Sequence, residues 1–441
     1  MRIPEKPPPF PELLAAISPD RIRYIIAAGR LPQSARYLHW DDVQRRAPPN
    51  ALSCEEWWVA IKLGRLGSAR SIPLTSRDGE GFSYSMPDTV LEAAHRIDQL
   101  ASGRIGLSDV VTNPATRDRY IVSSLMEEAI TSSQLEGAST SRRVAKEMIR
   151  SGRAPLNKSE RMIFNNYRAM HYVREQRHEK LTPTLIFELH RLVTDGTLDD
   201  PMDAGRLEPP DGERVQVFSP EGELLHTPPP ADQLPARMEA LCTFANREET
   251  AGFLHPVVRA IIVHFWLAND HPFADGNGRT ARALFYWSML SQGYWLTEYL
   301  TVSRILRHAP AQYARSFLYT ETDDLDLTYF ILHQLDVTLR AIEELERYLA
   351  RKTGEIAETE RRLRRYADLN HRQLALISHA LRHPDAVYTF ASHSISHNTV
   401  YETARTDLLD LALRGLLVRR RVGRRFQFHP AGDLAEKAPG V

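Results

Sequence analysis

The amino-acid sequence predicts a mainly α protein: a helical bundle that carries one small β-hairpin, followed by a C-terminal unit of helices and a basic hairpin. Three observations lead there. From Pro114 to roughly Arg351, apolar residues recur at helical spacing almost throughout. Two short alternating runs, Val215–Phe218 and Glu223–His226, flank Ser219-Pro220-Glu221-Gly222 and read as a hairpin. Beyond about residue 360 the order is helix, helix, then an arginine-rich hairpin around Gly423. A chain of 441 residues is long enough for two or three domains, and the boundaries are placed at 1–110, 111–355 and 360–432.

The elements follow in chain order. Residues 1–110 are mixed and proline-rich; Trp40, Trp57 and Trp58 suggest a small packed unit without an assignable role, and Ser68–Glu80 reads as a polar hinge. Pro87–Leu100 is a helix. Tyr120–Leu135 has helical apolar spacing, and Gly137 suits the position just past its end. Asn157–His178 is a long amphipathic helix and Leu181–Thr194 another. The hairpin ends at Pro228-Pro229-Pro230. Val257–Asn269 is apolar enough for a buried helix, Arg279–Leu290 is the next, and Asp326–Lys352 is long and charged.

Between the helices Val257–Asn269 and Arg279–Leu290 lies His271-Pro272-Phe273-Ala274-Asp275-Gly276-Asn277-Gly278-Arg279-Thr280-Ala281-Arg282. Pro272 and Gly276 force the chain out of helix, so Gly276-Asn277-Gly278 becomes a loop opening a helix N-terminus. Free N–H groups and the positive dipole end make that an anion site. Arg279 and Arg282 share one face of the first turn, and their planar forks suit phosphate oxygens. Asp275 can hold Mg²⁺ between phosphates. His271 titrates near neutral pH and is the natural general base. A loop-to-helix Gly-x-Gly alone is a weak signal, and a lone His is more often structural; the combination is the argument. No Gly-Lys-Ser/Thr follows, so this is not a Walker A loop.

The segment resembles the signature of the Fic (Fido) family, His-Pro-Phe-x-Asp/Glu-Gly-Asn-Gly-Arg-x-x-Arg, at every position, and the fold expected is a Fic-type helical bundle. The resemblance implies a protein adenylyltransferase moving AMP from ATP to a Ser, Thr or Tyr hydroxyl of a target protein or of itself. It implies His271 as catalytic base, Asp275 as Mg²⁺ ligand, Gly276, Asn277, Gly278, Arg279 and Arg282 as ATP-binding, and packing roles for Pro272 and Phe273. Ser132-Ser133-Gln134-Leu135-Glu136-Gly137 resembles the family's inhibitory motif, which makes 120–137 an inhibitory helix whose Glu136 pairs with Arg282 and displaces the γ-phosphate. The 214–227 hairpin corresponds to the flap that adds the target as an extra strand. Its lead-in, Gly205-Arg206-Leu207-Glu208 with Arg214 nearer the strand, departs from the usual Gly-x-x-Arg. Tyr313 falls where relatives contact adenine, and Glu321 stands where an amide is often found. An enzyme that removes AMP or moves another phosphoryl group is the alternative on the same fold.

The tail resembles a winged helix-turn-helix, with Ser396, Asn398, Thr399 and Arg405 on the recognition helix and Arg419–Phe428 as the wing. DNA and a second copy of the chain are the partners it allows. The recognition helix carries few cations and the formal net charge is zero, which speaks against sequence-specific DNA binding and leaves a transcription regulator as a further alternative. His379/His383 and His393/His397 lack a companion Cys or carboxylate in a zinc pattern, and His264 reads as core. Two separated cysteines, Cys54 and Cys242, suit a reducing cytoplasm. No signal-peptide pattern or 18-residue apolar run argues for a membrane.

Overall fold

The structure is a computed structural model; it describes residues 3–29, 37–102, 114–219, 221–248, 252–363, 369–397, 399–422 and 425–434. The chain divides into two compact units, Met1–Leu345 and Glu346–Val441. Helices dominate and the sheets are two-stranded, as the fold class predicts.

The first unit opens with α1 (Phe10–Ala16), α2 (Ile22–Gly29), the short α3 (Trp40–Val43) and α4 (Cys54–Leu66). Ser53 and Glu56 form a reciprocal capping box at α4. Trp40 and Trp58 meet edge to face at 6.0 Å within a cluster that includes Leu38, Val43 and Ile61. Ser68–Glu80, expected as a polar hinge, is instead largely hairpin: β1 (Arg70–Thr75) pairs antiparallel with β2 (Gly81–Tyr84). Its alternation was hidden by Pro73 and by polar outward residues, but Ile72, Leu74, Phe82 and Tyr84 all point inward and are buried. This N-terminal segment is tied to the loop at 323–327 and the residues after it by buried polar contacts. Lys62 Nζ lies 2.7 Å from Asp323 Oδ1, Arg65 donates to Tyr329 Oη at 2.8 Å, and Leu327 N donates to Ser83 O at 2.8 Å.

Then come α5 (Asp88–Ala101), α6 (Pro114–Leu135), α7 (Arg142–Ser151), α8 (Lys158–Glu175) and α9 (Pro183–Thr194). The hairpin β3 (Val217–Phe218) and β4 (Leu224–His226) precedes α10 (Leu234–Ala245). At the centre lie α11 (Pro256–Asp270) and α12 (Asn277–Ser291), which pack on each other and are buried on nearly every side. A helix apolar all round belongs inside. Around them stand α8, α9, α10, α13 (Val302–His308), α14 (Pro310–Thr322) and the 328–345 part of α15 (Thr328–Leu363). The loop 271–276 joins the two central helices, so the signature sits on the most closely packed part of the unit.

The C-terminal unit contains α16 (His371–Arg382), α17 (Phe390–Ser396), α18 (Tyr401–Leu413) and the antiparallel hairpin β5 (Leu417–Val422) with β6 (Arg425–Pro430). Leu376, Ile377, Phe390, Leu408, Leu411 and Phe428 share its core. Two local expectations fail here. The order of two helices before the hairpin misses a third: Phe390 begins α17, because Thr389 and Ser392 exchange backbone-to-hydroxyl bonds at its start and the ring is buried. The helix expected from Ser396 starts only at Tyr401, so Ser396 and Thr399 do not share α18 with Arg405; Asn398 lies outside the described residues. His393 is buried, with Nε2 3.2 Å from Asp407 Oδ2. Among the described residues no group of three or more His, Cys, Asp or Glu is placed to hold a metal, and no helix is long and apolar enough to cross a membrane.

Candidate active site

The chain leaves α11 at His271, which adopts a left-handed backbone (φ 46°, ψ 52°) and donates its N–H to Leu267 O at 3.0 Å. Pro272 bars further helix. Phe273 turns inward, is fully buried and stacks on the His190 ring at 3.8 Å. Asn277 closes the loop with its side chain: Oδ1 accepts from Phe273 N at 2.9 Å and Nδ2 donates to Phe273 O at 2.6 Å. Both ends of that amide are therefore engaged within the loop. Gly276 has φ 83°, and a Cβ there would lie 2.7 Å from Thr194 Cγ2, so conformation and space both demand glycine.

Asp275 is half-exposed at the loop tip. Its Oδ1 accepts from Gly276 N at 2.5 Å, and Oδ2 lies 3.5 Å from Arg279 Nη2. Such an accessible carboxylate fits Mg²⁺, which takes one or two protein oxygens and completes its shell from phosphates and water. Arg279 is fully buried; Nη1 donates to Val193 O at 3.1 Å, while Nε has no hydrogen-bond partner. Burial draws its pKa down against the pull of Asp275 and Glu136. A buried guanidinium in that state is poised to gain from an anion.

Arg282 is also buried. Nε donates to Ser132 Oγ at 2.9 Å, and Nη2 to Ser132 O at 3.0 Å and Glu136 Oε1 at 2.8 Å. Burial opposes its charge, but Glu136, Tyr313 and Glu128 hold the pKa above the usual value. Glu136 follows the last turn of α6. Its carboxylate lies so close over Gly278 that a Cβ there would collide with Oε1. The carboxylate thus occupies the anion position in front of α12. Glu128, buried higher on α6, accepts from Ser303 N at 3.0 Å and from its hydroxyl, which pins the helix against α13.

His271 presents a buried Nδ1 with no hydrogen-bond partner. Its pKa is pushed down to about 3, first by burial and then by the neighbouring His226 and Arg214. The ring is neutral at physiological pH and so able to accept a proton.

His271, Asn277, Gly278, Arg282, Glu136 and Tyr313 line one pocket of about 240 Å³. Asp275, Gly276 and Arg279 stand on the loop and first helical turn beside it. Tyr313 Oη pairs with His264 Nε2 at 2.9 Å; His264 is buried, as expected. Val217, Leu225, Phe317 and Leu318 give the pocket an apolar slot closed by His226 and Glu321.

Several residues here escaped sequence reasoning. His190 ties the loop: Nε2 pairs with Asp275 O at 2.8 Å and Nδ1 accepts from Gly205 N at 2.9 Å. Arg214, a departure from the flap lead-in pattern, donates to Pro229 O and Asp270 O at 2.7 Å and to His271 O at 3.0 Å, and pairs with Glu208. Arg237 reaches Asp270 at 2.6 Å and Thr75 at 3.0 Å. None has a contiguous motif; the odd placement of Arg214 before the hairpin was the one available signal.

Residues 180–289 match the model of the Fic/DOC family. A protein adenylyltransferase Fic of Drosophila grimshawi is 36% identical over 128 residues, 29% of this chain and 24% of that protein. A protein adenylyltransferase Fic of Nematostella vectensis is 26% identical over 228 residues, 50% of this chain and 51% of the relative. The alignments thus span about a quarter to a half of these relatives' length. A solved Fic family protein from Desulfovibrio desulfuricans G20 covers 78% of this chain and 96% of its own at 20% identity, with a TM-score of 0.53. Fic-1 from C. elegans, solved as a single-substitution form, covers 78% and 92% at 18% identity and a TM-score of 0.50. These two likenesses concern the fold.

Proposed function

We propose that this chain is a protein adenylyltransferase that moves AMP from Mg·ATP to a Ser, Thr or Tyr hydroxyl of a target protein or of itself, held in check by Glu136. The observation that carries the reading is the 2.8 Å pair of Glu136 with Arg282, set on Gly278 in the pocket that His271 enters. An anion site, a neutral imidazole and a competing carboxylate share one cavity. In the reaction, the acceptor hydroxyl oxygen attacks the α-phosphorus in line. A new P–O bond forms, the bond to the oxygen bridging to the β-phosphate breaks, and pyrophosphate leaves. His271 takes the hydroxyl proton; polyphosphate charge beside it raises the proton affinity that burial suppresses. The free N–H groups at the start of α12, with Arg279 and Arg282, stabilise charge on the phosphates. Asp275 would hold Mg²⁺, which offsets phosphate charge when bound. Glu136 blocks the γ-phosphate position until it leaves Arg282.

Residues 111–355 are the catalytic region in this reading, with 120–137 as inhibitory helix and 214–227 as flap. Tyr313 and the apolar slot receive the base. Residues 360–432 are proposed as a winged helix: Arg419, Arg420 and Arg421 are exposed on β5, with Arg419 over the Phe426 ring at 5.0 Å, a surface suited to phosphates. Cys54 and Cys242 are free thiols, in keeping with a cytoplasmic location.

The test is mass spectrometry after incubation with ATP, magnesium and whole lysate. The Glu136→Gly protein should acquire or transfer AMP more than the unaltered protein does, and Glu136→Gly with His271→Ala should do neither. An unmodified proteome with Glu136→Gly counts against the proposal; loss of AMP from a pre-modified target identifies the reverse reaction instead.

A further inference from the structure

His226 closes strand β4 and is bonded unlike the other histidines around the pocket. Its Nε2 lies 2.7 Å from the main-chain oxygen of Asn269, and its Nδ1 lies 2.9 Å from Glu321 Oε1. A carbonyl oxygen has no proton to give, so Nε2 must donate. A neutral ring would then aim its Nδ1 lone pair at a carboxylate. With Glu321 ionised, both contacts are attractive only when both nitrogens carry protons. His190 is the counter-case: with one carbonyl acceptor and one N–H donor as partners, a neutral ring satisfies it.

We propose that His226 is a charged latch, an imidazolium that clamps the flap strand β4 to the ends of α11 and α14 and so fixes the flap relative to His271. The consequence for acceptor binding rests on the flap assignment proposed above. The hairpin needs such a tie, because Phe218 and Leu224 are exposed and contribute little packing. Asn269 lies two residues before His271, and Arg214 grips the carbonyls of Asp270 and His271 at the other end of the hairpin. Both feet of the flap are thereby fastened to the turn that carries the proposed base. His226 is a positioning residue in this scheme.

The charged groups facing the ring agree. Glu321 approaches from α14. Asp270 stands on α11 and is already paired with Arg237 at 2.6 Å. His271 is neutral, and the nearby Arg214 is paired with Glu208. Burial disfavours charge on His226, but the Glu321 bond, the Asn269 carbonyl and Asp270 outweigh it and raise its pKa above the ordinary value. The latch is therefore complete below the raised pKa while Glu321 stays ionised, and it fails as pH rises through that pKa.

The experiment is ¹⁵N-histidine NMR of the full chain across pH, with His226→Asn to assign the resonance. We expect both ring nitrogens of His226 protonated at pH 7. Glu321→Gln keeps the acceptor and loses the charge, and should lower the midpoint by about one to three pH units, or 10- to 1000-fold in proton affinity. Glu321→Asp keeps the charge and should retain part of the elevation; it replaces the Gln variant should that one not fold. In a Glu136→Gly background, the alkaline fall in transfer to a protein acceptor should shift with the midpoint. A neutral His226 at pH 7, or a midpoint indifferent to residue 321, overturns the latch. Absence of transfer in every variant would defeat the proposed activity while leaving the NMR outcome for the latch intact.

Discussion

The two sides of the pocket are held by different physics. On the loop side, His190 is buried, stacked on Phe273 and bonded as a neutral ring; burial keeps its pKa at about 4. The signature turn is positioned by packing, by Asn277 and by a glycine that nothing larger can replace. On the hairpin side, where Phe218 and Leu224 are exposed, the strands are tied mainly by polar contacts of His226, Glu321 and Arg214. The difference teaches where flexibility is tolerable. In the proposed reading, the loop is a nucleotide site, which must be formed before its ligand arrives, whereas the hairpin would receive varied chains and gain from ties that can be undone.

The largest expected effect is on the loop side. His271→Ala in a Glu136→Gly background should lower the initial transfer rate by roughly 10²- to 10⁴-fold, the range for a lost general base. A drop of less than about tenfold would reassign the base. Next, Glu136→Gly should tighten Mg·ATP binding by roughly 10- to 100-fold in calorimetry. That corresponds to a charge-assisted bond of about 1.5–3 kcal/mol; unchanged affinity would remove Glu136 from the anion site. The contrast between the sides can be measured directly in urea. His190→Ala should cost about 2–4 kcal/mol through lost stacking and two lost bonds, and His226→Asn about 1 kcal/mol or less. Equal losses would erase the distinction.

A separate test is pH. His39, His190, His264, His271 and His333 are held neutral by burial, with pKa values of about 4, 4, 3, 3 and 4. Between about pH 6.5 and 4 the unfolded chain binds protons that the folded chain refuses. Stability therefore falls as pH falls through that window, by at most roughly 1.4 kcal/mol per unit for each histidine. Urea midpoints across the neutral-to-acid range check this; a rise in stability toward acid would refute the neutral assignments.

Most helices were legible from apolar spacing, and the 271–282 loop from its own residues, because both are local. Less local features were missed. The β1–β2 hairpin looked polar until Ile72, Leu74, Phe82 and Tyr84 found a common interior. α17 leaves little local signal, because its cap, Thr389 with Ser392, is short and the turn before α18 lies among ordinary polar residues.

The sequence by itself determined the chemical kit: an imidazole, a carboxylate, a glycine turn and two arginines, contiguous and readable because helix breaking and anion binding act over a few residues. Only the tertiary structure decided the surroundings. Glu136 meets Arg282 across 146 positions of chain, a pairing the motif resemblance suggested but spacing could not derive. Nothing local foretold His190 beneath Phe273 or His226 beside Glu321. Protonation state depends on what stands opposite each nitrogen and on how far water is excluded. Both are properties of packing, and packing joins residues that the linear chain keeps far apart.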